Sequence, residues 1–139
     1  MSRRDLFHNA VRHALEADGW TITRDPFFLE IGDKRLAADL GAERVLVASR
    51  GVDRIIVEIK SFIGASDVTD LEKALGQYIL YQRIIEFQEV DRRLYLAIPQ
   101  FAYEQIFTVP LGQILIQTNT LRLIVFDPDR EVILQWIPN

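Results

Sequence analysis

Cysteine is absent from the 139-residue chain. That excludes a disulfide framework, thiolate metal sites and a cysteine nucleophile, and it suits a reducing cytoplasm. Long apolar runs are also missing. None approaches the roughly 18 residues that a membrane span needs, and the segment after Met1-Ser2-Arg3-Arg4-Asp5 is amphipathic rather than continuously apolar, so a soluble, untargeted, cytoplasmic protein is expected. The glycines, among them Gly32, Gly41, Gly51, Gly64, Gly76 and Gly112, are dispersed, which leaves no phosphate-cradling loop and no support for nucleotide hydrolysis. The only histidines, His8 and His13, lie five positions apart and do not share a helical face, which argues against a histidine metal site. The 16 lysines and arginines are outnumbered by 20 acidic residues and are scattered, as at Arg3, Arg4, Arg12, Arg24, Lys34 and Arg35, and the formal net charge is −4. That balance argues against a general nucleic-acid coat. It is compatible with a nuclease, whose acidic metal ligands lower the count themselves. No repeat, linker or low-complexity tract interrupts residues 1–139, and a single domain with a self-sufficient core is expected.

What is present is organised around Arg54-Ile55-Ile56-Val57-Glu58-Ile59-Lys60. On a β-strand alternate side chains share a face, so Glu58 and Lys60 point together while Ile55, Val57 and Ile59 fill the other side. A strand this apolar on both faces is a central one covered by helices, and an acid with a base at its end is there either for chemistry or as a plain ion pair.

In chain order, Ser2 is placed to cap a first helix with Asp5 near the positive end of its dipole, Leu6, Phe7, Ala10, Val11, Ala14 and Leu15 recur at helical spacing, and Gly19 stops the run. Trp20–Thr23 and Phe27–Ile31 read as strands around the turn Asp25-Pro26, with a second turn at Gly32-Asp33-Lys34. A short extended piece then delivers Asp39. Residues 44–48, a turn at Gly51 and the organising strand predict an antiparallel hairpin, with Asp39 near its open end beside Glu58 and Lys60. Ser66 or Asp67 caps a long helix to about Val90. Its apolar stripe is Leu71, Ala74, Leu75, Tyr78 and Ile79; a more polar line, Gln77, Tyr81, Ile84 and Gln88, is suited to facing a cleft. Arg93–Ile98 reads as a buried strand closed by Pro99, residues 102–107 as a short helix broken by Pro110, and Leu111, Ile114 and Leu115 as another turn or two of helix. A C-terminal hairpin turns at Asp127-Pro128-Asp129-Arg130. Trp20 and Trp136 are expected to pack rather than stack on bases. The expected architecture is an α/β sandwich, a mixed central sheet with flanking helices.

Asp39, then Glu58-Ile59-Lys60 on a strand, then Gln77-x-x-x-Tyr81 on the next helix resemble the PD-(D/E)XK nuclease pattern, with Ala38 where the family has proline. The physical logic stands beside the name. Two carboxylates and the Ile59 carbonyl are hard oxygen donors that suit Mg²⁺, with Mn²⁺ as a substitute. Lys60 on the same face is placed to orient an attacking water or stabilise the transition state. Gln77 and Tyr81, one helical turn apart, reach the same cleft. Some branches of that superfamily also carry an acid in the first helix, for which Asp5 and His8 are the candidate places. A closer resemblance spans nearly the whole chain. Arg4-Asp5-Leu6-Phe7-His8, Asp18-Gly19-Trp20-Thr21-Ile22-Thr23, Asp39-Leu40-Gly41-Ala42-Glu43, Val57–Phe62, Ala74–Tyr78 and Arg93–Pro99 resemble XisH, the cyanobacterial family of fdxN element excision controlling factors. That resemblance implies a restriction-endonuclease-like three-layer sandwich, a role with DNA rearrangement and a small partner, XisI. It points to a helper or regulator of excision, and Asp39, Glu58 and Lys60 carry over only as matches to the nuclease pattern. By analogy with resolvases and restriction enzymes, a homodimer is expected. The competing reading is a non-catalytic regulatory subunit acting through a complex with an XisI-type partner.

Overall fold

The structure, a computed structural model, describes residues 3–35 and 45–139. Ser2 and Asp39 therefore lie outside the described residues, as do the extended piece before the hairpin and the side chain of Asp5. The elements are α1 (Arg3–Ala17), β1 (Thr21–Arg24), β2 (Glu30–Ile31), β3 (Lys34–Arg35), β4 (Val45–Arg50), β5 (Asp53–Ile59), α2 (Asp67–Phe87), β6 (Arg93–Pro99), α3 (Gln100–Ala102), α4 (Pro110–Gln117), β7 (Leu123–Asp127) and β8 (Val132–Ile137). The described strands form a mixed sheet in the order β1-β4-β5-β6-β7-β8, with β2 and β3 as a separate ribbon. The three central strands β5, β6 and β7 run parallel, while β1, β4 and β8 are antiparallel to their neighbours.

Local chemistry explains the boundaries. Gly19, at φ +91°, ends α1 in the left-handed region that glycine tolerates best, and the Trp20 amide closes back on the Leu15 carbonyl at 3.0 Å. The β4–β5 hairpin forms as the alternation requires, pairing Arg50 with Asp53 and Val45 with Glu58. At the start of α2 the Ser66 hydroxyl accepts from the Thr69 amide at 3.2 Å, with Asp67 and Asp70 in the first turn. The last hairpin turns because Asp127 Oδ1 accepts from the amides of Asp129 at 2.9 Å and Arg130 at 3.1 Å.

Helices cover both faces of the sheet. On one side Ile56, Leu94, Leu96, Ile98, Leu123 and Val125 pack against Leu71, Ala74, Tyr78, Tyr81 and Ile85 of α2. On the other, Ile55, Val57, Ile59, Tyr95, Ala97, Ile124 and Phe126 pack against Phe7, Ala10, Val11 and Leu15 of α1. β5 is thus central and apolar on both faces up to Glu58, as its sequence indicates. No described helix is long and apolar enough to cross a membrane.

Three expectations are corrected. Only Glu30 and Ile31 of the run Phe27–Ile31 are strand; Leu29 is buried and Phe27 and Phe28 pack on the α2-side core, so the apolar residues serve packing without a ladder. The buried stripe of α2 is Leu71, Ala74, Tyr78, Tyr81, Ile84 and Ile85, and Ile79 is exposed. The short helix begins at Gln100 and widens into a π-helical turn over Tyr103–Phe107, and Pro110 starts the next helix rather than merely ending the last, in keeping with proline's preference for the first helical position.

Candidate functional site at the end of the central strand

Alternation along β5 puts Glu58 on the face of Ile56, beneath α2. Glu58 is 1% exposed. Lys60 follows one residue beyond the strand on the same face, half-buried, and its amide donates to the Ala97 carbonyl of β6 at 3.0 Å. The parallel ladder therefore continues past the last strand residue and fixes the backbone that carries the lysine. Ile59, between them, belongs to the opposite core.

The loop after Lys60 is held from α2. The Gly64 amide donates to Asp70 Oδ2 at 2.9 Å, and a Cβ on Gly64 would stand only 2.6 Å from Asp70 Oδ1. Glycine at this point lets the carboxylate close on the backbone, so the segment leaving the site is tied to the first turn of α2. Sequence reasoning missed this latch; an acid four residues after the capping serine is a weak signal that the backbone geometry turns into a contact.

Above the strand, α2 presents Ala74, Gln77, Tyr78 and Tyr81. Tyr81 lies in the core at 0% exposure, and Ile84 is buried with it. The line Gln77, Tyr81, Ile84, Gln88 thus runs from the core to the surface and is not a uniformly polar wall. Gln77 is half-buried, and its amide oxygen has no hydrogen-bond donor among the described residues. Gln88, at the far end, donates to the Glu30 carbonyl at 2.6 Å. Tyr78 is core, as its position on the apolar stripe implies, yet its hydroxyl donates to the Leu94 carbonyl at 3.0 Å and accepts from the Arg122 amide at 3.1 Å. One phenol thereby joins α2 to β6 and to the residue before β7.

Burial pushes the Tyr78 hydroxyl above its ordinary value of 10.0, opposed by its bond to Arg122 and that residue's charge, and reinforced by the negative charge of Glu58. The unfolded chain loses this proton near pH 10 while the folded chain retains it. The stabilisation is complete below that pH and falls as the pH rises above it. Tyr78→Phe is expected to lower stability at neutral pH by about 1–2 kcal/mol, because the Arg122 amide loses its acceptor, and to flatten the alkaline decline. Denaturant midpoints across the alkaline range check this; a variant keeping the full wild-type slope would show that other groups produce it.

Of the first-helix candidates, the side chain of Asp5 lies outside the described residues, and the structure places His8. His8 is buried, and Asp25 Oδ2 stands 2.5 Å from its Nε2 and 2.7 Å from Arg12 Nη1. It packs as a structural histidine between α1 and the loop after β1. His13 faces Glu131 at 2.9 Å on the surface. Among the described residues no group of three or more acid or histidine side chains is arranged to hold a metal ion; Asp39 lies outside them.

The model of a family described as XisH protein matches residues 1–134. An XisH family protein from Nostoc punctiforme PCC 73102 is 36% identical, with a TM-score of 0.86 over 96% of this chain and 99% of that one. An fdxN element excision controlling factor protein from Anabaena variabilis is 37% identical, with a TM-score of 0.85 over 96% of this chain and 98% of that one. Among curated proteins nothing matches.

Proposed function

Because the chain belongs to the XisH family, we propose that it processes DNA as a Mg²⁺-dependent phosphodiesterase of the PD-(D/E)XK type, in the control of DNA element excision. What supports this reading is that alternation along β5 carries Glu58, and Lys60 after it, to the side of the sheet on which α2 packs with Tyr81 in its buried stripe. A mixed sheet between α1 and α2 is compatible with a restriction-endonuclease-like three-layer sandwich. The name of the Anabaena variabilis protein, an fdxN element excision controlling factor, supplies the DNA context.

The donors at the strand end fit a hard cation. The Glu58 carboxylate and the Ile59 carbonyl are oxygen ligands of the kind Mg²⁺ or Mn²⁺ takes, with Asp39 as the third. When bound, the ion supplies Lewis acidity and lowers the pKa of a coordinated water. The chain's own groups do the rest. Lys60 Nζ donates to the attacking water or to a phosphate oxygen, and its charge stabilises the negative charge gained as the new P–O bond forms and the old one breaks. Gln77 and Tyr81, on the helix packed over this face of the sheet, would position the strand end from above. Two copies of the chain, one per strand, would cut a duplex.

The test is cleavage of supercoiled, linear and four-way DNA with Mg²⁺ or Mn²⁺ by wild type, Glu58→Gln, Asp39→Ala and Lys60→Ala. Cleavage by wild type alone is expected; equal cleavage by all four rejects the assigned site.

A second reading, a non-catalytic regulatory subunit bound to an XisI-type partner, draws on the outer side of α2, where Val68, Ile79, Leu80 and Phe87 are exposed, Phe87 to 77%. Apolar groups gathered on one helix face suit a protein partner. Co-elution with the partner on size exclusion supports it, and separate elution at micromolar concentration counts against it.

A further inference from the structure

At the opposite end of β5 four arginines come together. Arg54 is the second residue of β5 and Arg93 the first of its parallel neighbour β6, whose register pairs Ile55 with Arg93, and Arg92 precedes Arg93. Arg50 ends β4 across the hairpin turn. These four arginines line a pocket of about 520 Å³, within the range of small-ligand sites. Trp20 and Trp136, the only tryptophans in the chain, also line it. Their rings are 5.6 Å apart. Counting along the strand at about 3.3 Å per residue, Arg54 and Lys60 are separated by roughly 20 Å, so this pocket is distinct from the Glu58 site.

Its charge is not balanced internally. Asp53 and Asp91 line it too, leaving four guanidiniums against two carboxylates in a chain whose net charge is −4. Arg50 is already engaged, donating to Asp18 Oδ2 at 3.2 Å and lying over Trp20 at 4.6 Å. Arg92 is not: its Nη1 is buried with no acceptor among the described residues, and the same holds for Trp20 Nε1. Two buried donors without acceptors are costly to keep, and each requires an explanation. Burial, then the charges of Arg54 and Arg24, also disfavour the charged form of Arg92. A multivalent anion would relieve both problems. Phosphate supplies up to two negative charges and three acceptor oxygens, matched to planar guanidinium forks.

We propose that this pocket binds a phosphate-bearing small molecule of mononucleotide size through Arg54, Arg92 and Arg93. The half-buried ring of Trp136 forms part of its wall. Binding alone is implied.

Both tryptophans line the pocket, so their fluorescence reports on it directly. The full chain is titrated separately with inorganic pyrophosphate, ADP and an oligothymidylate, with calorimetry as the second readout. Saturable binding of pyrophosphate or ADP below about 1 mM, with a tryptophan fluorescence change, is expected. Arg92→Ala and Arg54→Ala should each weaken it by about tenfold or more. Arg92→Ala should hold or raise the thermal midpoint, because it removes a buried group with no acceptor. If Arg92→Ala unfolds, Arg54→Ala at an exposed position carries the test. No binding of either small ligand, binding unchanged by the arginine substitutions, or binding of the oligothymidylate alone would overturn the proposal, the last in favour of a nucleic-acid strand.

Discussion

Lys60→Ala is expected to slow DNA cleavage by about 100-fold or more, the usual cost of removing one group that meets developing charge in a transition state, while leaving the fold intact. The two halves of that expectation have separate origins. Lys60 is half-buried, beyond the last residue of β5, and what fixes this end of the strand is backbone: the Lys60 amide on the Ala97 carbonyl and the Gly64 amide on Asp70. Neither bond uses the ammonium group. A lysine serving only as a counter-charge for Glu58 would behave differently. Its removal would leave a carboxylate of 1% exposure poorly compensated and would lower the thermal midpoint. Initial cleavage rates together with thermal unfolding separate the two. A rate loss with a midpoint within a degree or two of wild type supports chemistry, and a collapsed midpoint supports the structural ion pair.

Gly112→Ala is expected to destabilise the chain by about 3 kcal/mol, lowering the thermal midpoint by roughly 10 °C for a domain of this size. An alanine in a helix ordinarily stabilises relative to glycine; here the sign reverses because there is no room. A Cβ on Gly112 would run into the Ile106 carbonyl oxygen and stand 2.5 Å from Phe107 Cα, both backbone atoms that cannot swing aside. Helix α4 lies against the π-helical turn only because residue 112 has no side chain, and that turn places Ile106 and Phe107 in the core beside α2. Gly76 is the internal control. It sits mid-helix in α2, exposed, and a Cβ there meets nothing within 4 Å, so Gly76→Ala should stabilise by about 0.5–1 kcal/mol. Circular-dichroism melting curves of the two variants should move in opposite directions. A Gly112→Ala midpoint equal to wild type would mean that α4 is free to slide.

Much of the fold can be read directly from residues. The β4–β5 hairpin, the cap of α2 at Ser66 and the turn at Asp127 are local. In each case alternation, a hydroxyl acceptor or a carboxylate reaching its own backbone decides the structure within a few residues, and the observed bonds are those expected. The candidate pair was legible for the same reason, since period-two alternation alone puts Glu58 and Lys60 on one face.

What could not be read depends on partners distant in sequence. Phe27, Phe28 and Leu29 carry the composition of a strand, but a core accepts side chains from irregular backbone as readily. Tyr81 looks polar by its hydroxyl, yet the packing of α2 on the sheet makes it fully buried. The arginine pocket needs the parallel pairing of β5 with β6, which brings residues 54 and 92 together across 38 positions of chain; no local pattern announces it.

The most direct measurement for the site is titration of Mn²⁺ into the full chain with a short duplex present, followed by electron paramagnetic resonance, for wild type and Glu58→Gln. A carboxylate that ligates a catalytic ion predicts a saturable site in wild type that the amide variant loses, with the fold unchanged by circular dichroism. Identical Mn²⁺ binding by both proteins, or no binding by wild type, would contradict a metal centre at the end of β5.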